Sequence, residues 1–128
     1  MPGIPDTPPR TRSPWPGRCS LEILVMPTIA PLAHIVTLTI RVRPAFIDRM
    51  RVIAHELLVS SRKEDGCIIY LTAESTETGG LFLITSVWRD QQAYETHRYS
   101  PYVRAFESQI APEVLHGAAS SKTWRNLG

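Results

Sequence analysis

The fold is decided by two apolar runs, Cys67-Ile-Ile-Tyr-Leu-Thr-Ala-Glu74 and Leu81-Phe-Leu-Ile-Thr-Ser-Val-Trp88, joined by a polar loop at residues 75–80. Both runs are rich in β-branched and aromatic residues, so they predict two strands of a β-hairpin with a longer loop. In the second strand Phe82 and Leu83 lie on opposite faces, and large apolar residues continue along both. A sheet covered by helices on one side should alternate apolar with polar residues. The pattern therefore predicts that a second copy of the chain covers the other face.

Two further strands and two helical regions surround this hairpin. Their signals are a β-branched run, apolar residues at helical spacing, and prolines and caps at the helix ends. The predicted elements are strand 1 at residues 34–42, helix 1 from Pro44 to about Ser61, helix 2 capped by Asp90, interrupted at Ser100 and Pro101 and ended by Pro112, and an edge strand at residues 120–125. This order predicts an α+β domain of βαββαβ type, with an antiparallel sheet and helices on one face.

The chain divides into a Pro-rich segment, residues 1–31, and a domain at residues 32–128. Eight of the 11 prolines fall in the first segment. Because proline removes backbone donors and fixes φ, this segment is predicted to be flexible or extended. Two interpretations stay open: translation could begin at Met26, or the segment could be an arm that packs on a partner.

Composition excludes several classes of protein. The net charge is +2, and the densest basic group straddles a strand end and a helix start, so we expect no nucleic-acid partner. Prolines interrupt the longest apolar run, so we expect no membrane span. Two cysteines in distant segments match neither a disulfide framework nor a metal-ligand spacing, which favours a reducing, cytoplasmic location.

Four short pieces of the sequence resemble the antibiotic biosynthesis monooxygenase family. They are Glu64-Asp-Gly-Cys-Ile-Ile-Tyr70, Val87-Trp88, Ala93-Tyr94-Glu95-Thr96-His97 and Ser100-Pro101-Tyr102. Their order and spacing carry the resemblance, which extends from about residue 33 to residue 114. It implies a ferredoxin-like fold that pairs into a dimeric α+β barrel. The family includes cofactor-free oxygenases of anthrones and quinols, haem-degrading enzymes, and members with isomerase or unassigned roles.

His97, Trp88 and Tyr94 are the predicted catalytic residues. His97 has an ordinary pKa near neutrality and shares a helix face with Tyr94, which suits a general base. The other interpretation is a histidine bonded to a backbone carbonyl beneath the helix. Trp88 and Tyr94 could bracket a flat aromatic substrate, and the resemblance matches them to a Trp and a Tyr implicated in anthrone oxygenases. Their alternative role is ordinary core packing.

Five further residues are predicted to contact the substrate, although the aromatic ones are residue types more often found in a core. They are Tyr70, Phe82, Ile84, Tyr102 and Phe106. Ile84 stands where the resemblance implies an Asn that orients an anthrone, so the particular substrate stays open.

The sequence predicts no metal site and no cofactor. It has neither Cys-x-x-Cys nor a Gly-rich phosphate loop after a strand, and its histidines show no ligand spacing. The haem-degrading branch implies an Asn in strand 1 and a later haem-ligating His, whereas this chain has Leu38 and Phe106 there. We therefore do not expect haem to bind.

These observations lead to two hypotheses on function. The first is a cofactor-independent monooxygenase that oxidises a small phenolic, quinol or anthrone-like substrate with O2, working as a homodimer. The alternative is a non-oxidative binding protein or isomerase for a small metabolite, which would use the same pocket. Oxygen consumption separates the two.

Overall fold

A computed structural model describes residues 32–128. The elements are β1 (His34–Val42), α1 (Ile47–Arg62, after a 3-10 turn at Pro44–Phe46), β2 (Cys67–Glu74), β3 (Leu81–Trp88), α2 (Gln91–Arg98), α3 (Pro101–Ile110, followed by a 3-10 turn at Ala111–Glu113) and β4 (Val114–Arg125). The four strands form one antiparallel sheet in the order β2-β3-β1-β4. The predicted α+β, ferredoxin-like βαββαβ fold is confirmed. The Pro-rich segment predicted at residues 1–31 lies outside the described residues.

The helices pack on one face of the sheet and bury the core there. In α1 the buried Met50, Ile53 and Leu57 recur at helical spacing, which turns one side of the helix to the sheet. Asp90 caps α2 as predicted, because its carboxylate accepts a 2.9 Å hydrogen bond from the backbone N–H of Ala93. The core residues are Ile40, Val42, Met50, Ile53, Leu57, Tyr70, Phe82, Ile84, Trp88, Ala93, Val103, Phe106 and Ile110.

The opposite face of the sheet carries no helix among the described elements, yet it is apolar along one row. The strand register aligns one residue from each strand across the whole sheet, in the order Ile69, Val87, Ile35 and Trp124. Ile69 is 42% exposed and Trp124 is 52% exposed. Leu71, on the same face of β2, is 50% exposed. We call these five residues the apolar row.

The predicted start of the last strand was wrong. The strand begins at Val114 instead of residue 120. β4 pairs with β1 through the backbone, and its register shifts between Ile40 and Val42 of that strand. Gly117 lies within the irregular stretch of β4 and has a φ of 71°. A strand with such an irregularity loses the alternating pattern by which sequence reveals strands.

Ser100 occupies the N-cap position of α3, and Pro101 is the first helical residue, as the sequence predicts. The Ser100 side chain does not cap α3, however. Its hydroxyl donates a 2.6 Å hydrogen bond to the backbone carbonyl of His97. It therefore ties the end of α2 to the start of α3.

None of the helices in residues 32–128 is long and apolar enough to cross a lipid bilayer.

Candidate active site

A cavity of about 280 Å³ opens between the sheet and the two C-terminal helices. This volume lies just below the roughly 300–1,000 Å³ typical of ligand pockets, so it suits a small ligand. The lining residues are Val36, Leu38, Ile40, Leu57, Tyr70, Ile84, Ser86, Tyr94, His97, Arg98, Val103, Phe106, Glu107, Ile110, Ala119 and Ser121. Most of these side chains are aliphatic or aromatic. The few polar groups are therefore well placed to orient a bound molecule.

His97 borders this cavity and is 6% exposed. Its Nδ1 atom lies 2.8 Å from Oε2 of Glu64 and 3.1 Å from the hydroxyl of Tyr102. The Tyr102 hydroxyl also donates a short hydrogen bond to Oε2 of Glu64. It lies 3.3 Å from the hydroxyl of Ser61, which donates to the carbonyl of Leu57. These side chains form a connected polar network beside the cavity.

Burial lowers the pKa of His97 below its ordinary value of 6.5, and the hydrogen bond and charge of Glu64 oppose this effect without cancelling it. His97 is therefore neutral near pH 7, which is the form that can accept a proton. Burial raises the pKa of the Tyr94 hydroxyl, so this group keeps its proton and can donate a hydrogen bond. The cavity thus holds a neutral imidazole and a phenol donor on the same helix.

Aromatic rings surround the imidazole of His97. The Trp88 ring lies 4.3 Å from it, centroid to centroid, with the two planes 34° apart. The rings of Tyr70, Tyr94 and Tyr102 lie at 5.8, 6.1 and 5.9 Å. Such contacts fix the plane of the imidazole as well as its position.

Trp88 does not take the position that bracketing a substrate would need. It is fully buried, and the cavity is lined by Tyr94 but not by Trp88. The two ring centroids are 6.2 Å apart with planes 58° apart. Rings at about 4.5–7 Å are in mutual contact, so no flat substrate fits between them. In residues 32–128 the indole Nε1 of Trp88 is the one side-chain nitrogen or oxygen that is completely inaccessible and has no hydrogen-bond partner.

The structure brings some of the predicted site residues to the cavity and leaves others away from it. His97, Tyr94, Tyr70, Ile84 and Phe106 line the cavity. Phe82 is buried in the core, and Tyr102 contacts His97 and borders a separate depression between α1 and α3. Trp88 lies behind His97.

Sequence reasoning did not identify Glu64 as a site residue. Glu64 lies in the turn between α1 and β2, and its position in the first resembling piece was the one signal that could have singled it out. The charged lining residues Arg98 and Glu107 and the polar lining residues Ser86 and Ser121 were also missed. They come from elements whose packing against the cavity no local pattern reveals.

Within the described part of the chain, no three His, Cys, Asp or Glu side chains are grouped so that they could hold a metal ion.

The fold and this site define a ferredoxin-like α+β domain with a buried histidine at a small apolar cavity. The sequence matches the antibiotic biosynthesis monooxygenase family over residues 33–109, more than half of its length, and the chain belongs to that family.

Solved structures from several organisms share this fold. Rv0793 from Mycobacterium tuberculosis is 24% identical, with a TM-score of 0.69 over 75% of this chain and 96% of that one. PA3566 from Pseudomonas aeruginosa is 20% identical, with a TM-score of 0.70 over 80% of this chain and 100% of that one. The uncharacterized protein sll1783 from Synechocystis is 29% identical over 86 residues, which are 67% of this chain. The chain spans 58% of that relative's length.

Proposed function

We propose that this protein is a cofactor-independent monooxygenase that oxidises a small phenolic, quinol or anthrone-like aromatic substrate with O2. The observation that carries the proposal is a neutral, buried His97 at the wall of an apolar cavity. Membership of the monooxygenase family supports it. The cavity volume of about 280 Å³ favours a substrate of one or two rings, or a larger ring system that extends through the mouth.

The substrate itself supplies the electrons in this reaction. His97 takes a proton from the activated C–H or O–H of the substrate, and the resulting delocalised anion transfers one electron to O2. The two radicals combine into a peroxide, which loses water and leaves a carbonyl. For a substrate with a reactive methylene group, that group and one molecule of O2 give a carbonyl group and one molecule of water.

The cavity provides two further contributions to such a reaction. Its apolar walls exclude water, so charge interactions between the anion and nearby groups are stronger than in bulk solvent. The Tyr94 hydroxyl is a donor for the negative charge that develops on a substrate oxygen. We assign Trp88 to the support of the imidazole, since it packs against His97 and does not border the cavity.

We also propose that the protein works as a homodimer through the apolar row. Four of its residues align across the four strands, and three of the five are more than two-fifths exposed. An exposed apolar patch of this kind is typical of an interface. The same face of a second copy would cover it with two-fold symmetry.

The experiment is oxygen uptake by the purified protein with a panel of hydroquinones, naphthols and anthrones, without added metal, flavin or haem. His97→Gln keeps a side chain that can hydrogen-bond Glu64 but removes the base. It should lower turnover by about 100- to 10,000-fold near pH 7, the usual contribution of a general base. Raising the pH should partly restore the variant, because solvent then ionises the substrate.

His55→Gln is the matched control, since His55 is exposed on α1 and does not line the cavity. It should turn over like the unaltered protein. Substrate loss without oxygen uptake would replace the monooxygenase with an isomerase, and tight binding without any turnover would favour a binding protein. Near-normal uptake by His97→Gln at pH 7 would remove His97 from the mechanism.

A further inference from the structure

Among residues 32–128, Glu64 is the one carboxylate that hydrogen-bonds the proposed base, and it does so at the Nδ1 atom. We infer that Glu64 is the positioning residue of His97, holding the tautomer in which Nδ1 carries the proton and Nε2 offers its lone pair to the cavity. The catalytic meaning of this inference rests on the proposed function. The tautomer itself does not.

The hydrogen-bond geometry determines the tautomer. An ionised carboxylate can only accept hydrogen bonds, so a 2.8 Å contact between Oε2 of Glu64 and Nδ1 of His97 requires the proton on Nδ1. In a neutral imidazole the other nitrogen then has no proton. Nε2 makes no hydrogen bond to any residue in 32–128, which leaves its lone pair available.

Other side chains fix the carboxylate in its turn. The Tyr102 hydroxyl donates to the same Oε2 atom, so that oxygen receives two donors from α2 and α3. The Ser61 hydroxyl donates to the Leu57 carbonyl at 2.6 Å and lies 3.3 Å from the Tyr102 hydroxyl. The backbone N–H of Glu64 donates a 3.1 Å hydrogen bond to the carbonyl of Ser61, at the end of α1. Glu64 is thereby oriented by three elements, α1, α2 and α3.

The backbone also holds Glu64 close to α2. The turn after Glu64 brings Gly66 against Ala93, where a Cβ on the glycine would lie 2.4 Å from the Cβ of Ala93. The backbone N–H of Arg89 donates a 2.8 Å hydrogen bond to the backbone carbonyl of Gly66. Only a glycine permits this approach, which sets the separation between Glu64 and His97.

Glu64 also bears on the charge that forms when His97 accepts a proton. When His97 takes a proton on Nε2, the imidazolium forms with its Nδ1–H already bonded to a carboxylate, which stabilises the charge. The titratable groups that face the ring are Glu64, Tyr102, Tyr70 on β2 and Tyr94 on α2. Burial raises the pKa of both Tyr70 and Tyr102, so Glu64 is the group whose charge acts on His97 near neutral pH.

The test measures the tautomer first and turnover second. Long-range 1H–15N spectra of the ligand-free protein, with His97 assigned by its absence in His97→Gln, report which ring nitrogen is protonated. We expect a protonated Nδ1 in the unaltered protein. Glu64→Gln should shift the population towards protonated Nε2, because the amide can donate to Nδ1. Tyr102→Phe leaves the carboxylate in place and should keep the original tautomer.

Turnover then separates a positioning role from a merely structural one. Glu64→Gln should lower kcat by more than about tenfold. The decrease should be smaller than that caused by loss of His97 itself, which is roughly 100- to 10,000-fold. The acidic limb of its pH profile should move to lower pH, because the imidazolium has lost its carboxylate. Glu95→Gln removes an exposed carboxylate on the same helix and should change neither limb nor tautomer.

The outcomes distinguish this inference from the proposed function. A protonated Nε2 in the unaltered protein would overturn the inference whatever the protein oxidises. The same holds if Glu64→Gln folds and keeps the tautomer and the pH profile unchanged. If Glu64→Gln does not fold, the tautomers of the unaltered protein and of Tyr102→Phe still test the inference, because both should carry the proton on Nδ1. A protonated Nδ1 in a protein that oxidises no phenol would leave the inference standing and the monooxygenase proposal refuted.

Discussion

Gly66→Ala should loosen the contact between the turn after α1 and the start of α2, with a cost in both stability and activity. The added Cβ would lie 2.4 Å from the Cβ of Ala93, which belongs to a helix and cannot rotate away. Carbon atoms pack at about 3.5–4.0 Å, so the helix and the turn must separate by about 1.1 Å or more. Overpacking of a core costs about 1–3 kcal/mol.

Thermal unfolding measures this cost. For a domain of about 100 residues, 1 kcal/mol shifts the Tm by roughly 4–8 °C, so we expect a fall of at least about 4 °C. Gly79→Ala is the matched control, because a Cβ there meets nothing within 4 Å. Ala93→Gly removes the opposing Cβ at a helix-propensity cost of about 1 kcal/mol. Combined with Gly66→Ala it should restore part of the lost stability, which a double-mutant cycle would show as a coupling.

The same displacement moves His97 relative to Glu64, because Ala93 precedes His97 by one helical turn and Gly66 follows Glu64 by two residues. Gly66→Ala should therefore lower turnover even at temperatures where it is fully folded. Two results would refute the steric contact between Gly66 and Ala93. One is that Gly66→Ala and Gly79→Ala have the same Tm. The other is that the loss of stability in the double variant equals the sum of the losses in Gly66→Ala and Ala93→Gly.

The buried histidine, the apolar row and the β2–β3 loop each allow a further test. Because burial lowers the pKa of His97, the unfolded chain binds a proton more readily than the folded one. The free energy of unfolding should therefore be highest above pH 6.5 and should fall as the pH drops through the lower pKa of the folded state. The Tm of His97→Gln should lack this fall. Leu71→Lys on the apolar row should be monomeric in light scattering at micromolar concentration. Val59→Lys is the control, because Val59 lies on a helix and is 40% exposed, and this variant should remain a dimer. A dimeric Leu71→Lys would contradict a dimer formed through this face of the sheet. Gly80→Ala should lower the Tm, since Gly80 has a φ of 77° and its Cβ would lie 2.7 Å from the Val42 carbonyl oxygen; an unchanged Tm would show that the β2–β3 loop relaxes freely.

The fold could be predicted because its signals are local. The β2–β3 hairpin, the capped start of α2 and the proline at the start of α3 each depend on neighbours within a few residues. β4 was too short in the prediction because its pairing with β1 is made by backbone groups that any sequence offers. Its Gly117 and polar residues then look like a loop, although they extend the sheet.

The candidate site was predictable only in part. His97 and Tyr94 were identified from residue type and a shared helix face, and both line the cavity. Glu64 could not be paired with His97 by spacing, since 33 residues separate them. Likewise, the alternation of side chains along β3 places Trp88 on the face that the helices cover, but it does not show whether a protein side chain or a ligand packs against the indole. The His97 ring packs against it, and this contact forms only when the helices pack on the sheet.

The position of the polar network favours function over stability as the reason for it. Desolvating a carboxylate and an imidazole is costly, and apolar residues of similar volume often serve stability equally well. Here His97 lines the cavity, and Glu64 and Tyr102 contact its Nδ1 atom, whereas Met50 lies in the closed interior of the core. A triple variant that combines Glu64→Leu, His97→Leu and Tyr102→Phe should therefore fold with a similar or higher Tm while losing all oxygen uptake. A large fall in Tm for that variant would show that the network is needed to hold α2 and α3 on the sheet, and its presence at the cavity would then need no catalytic explanation.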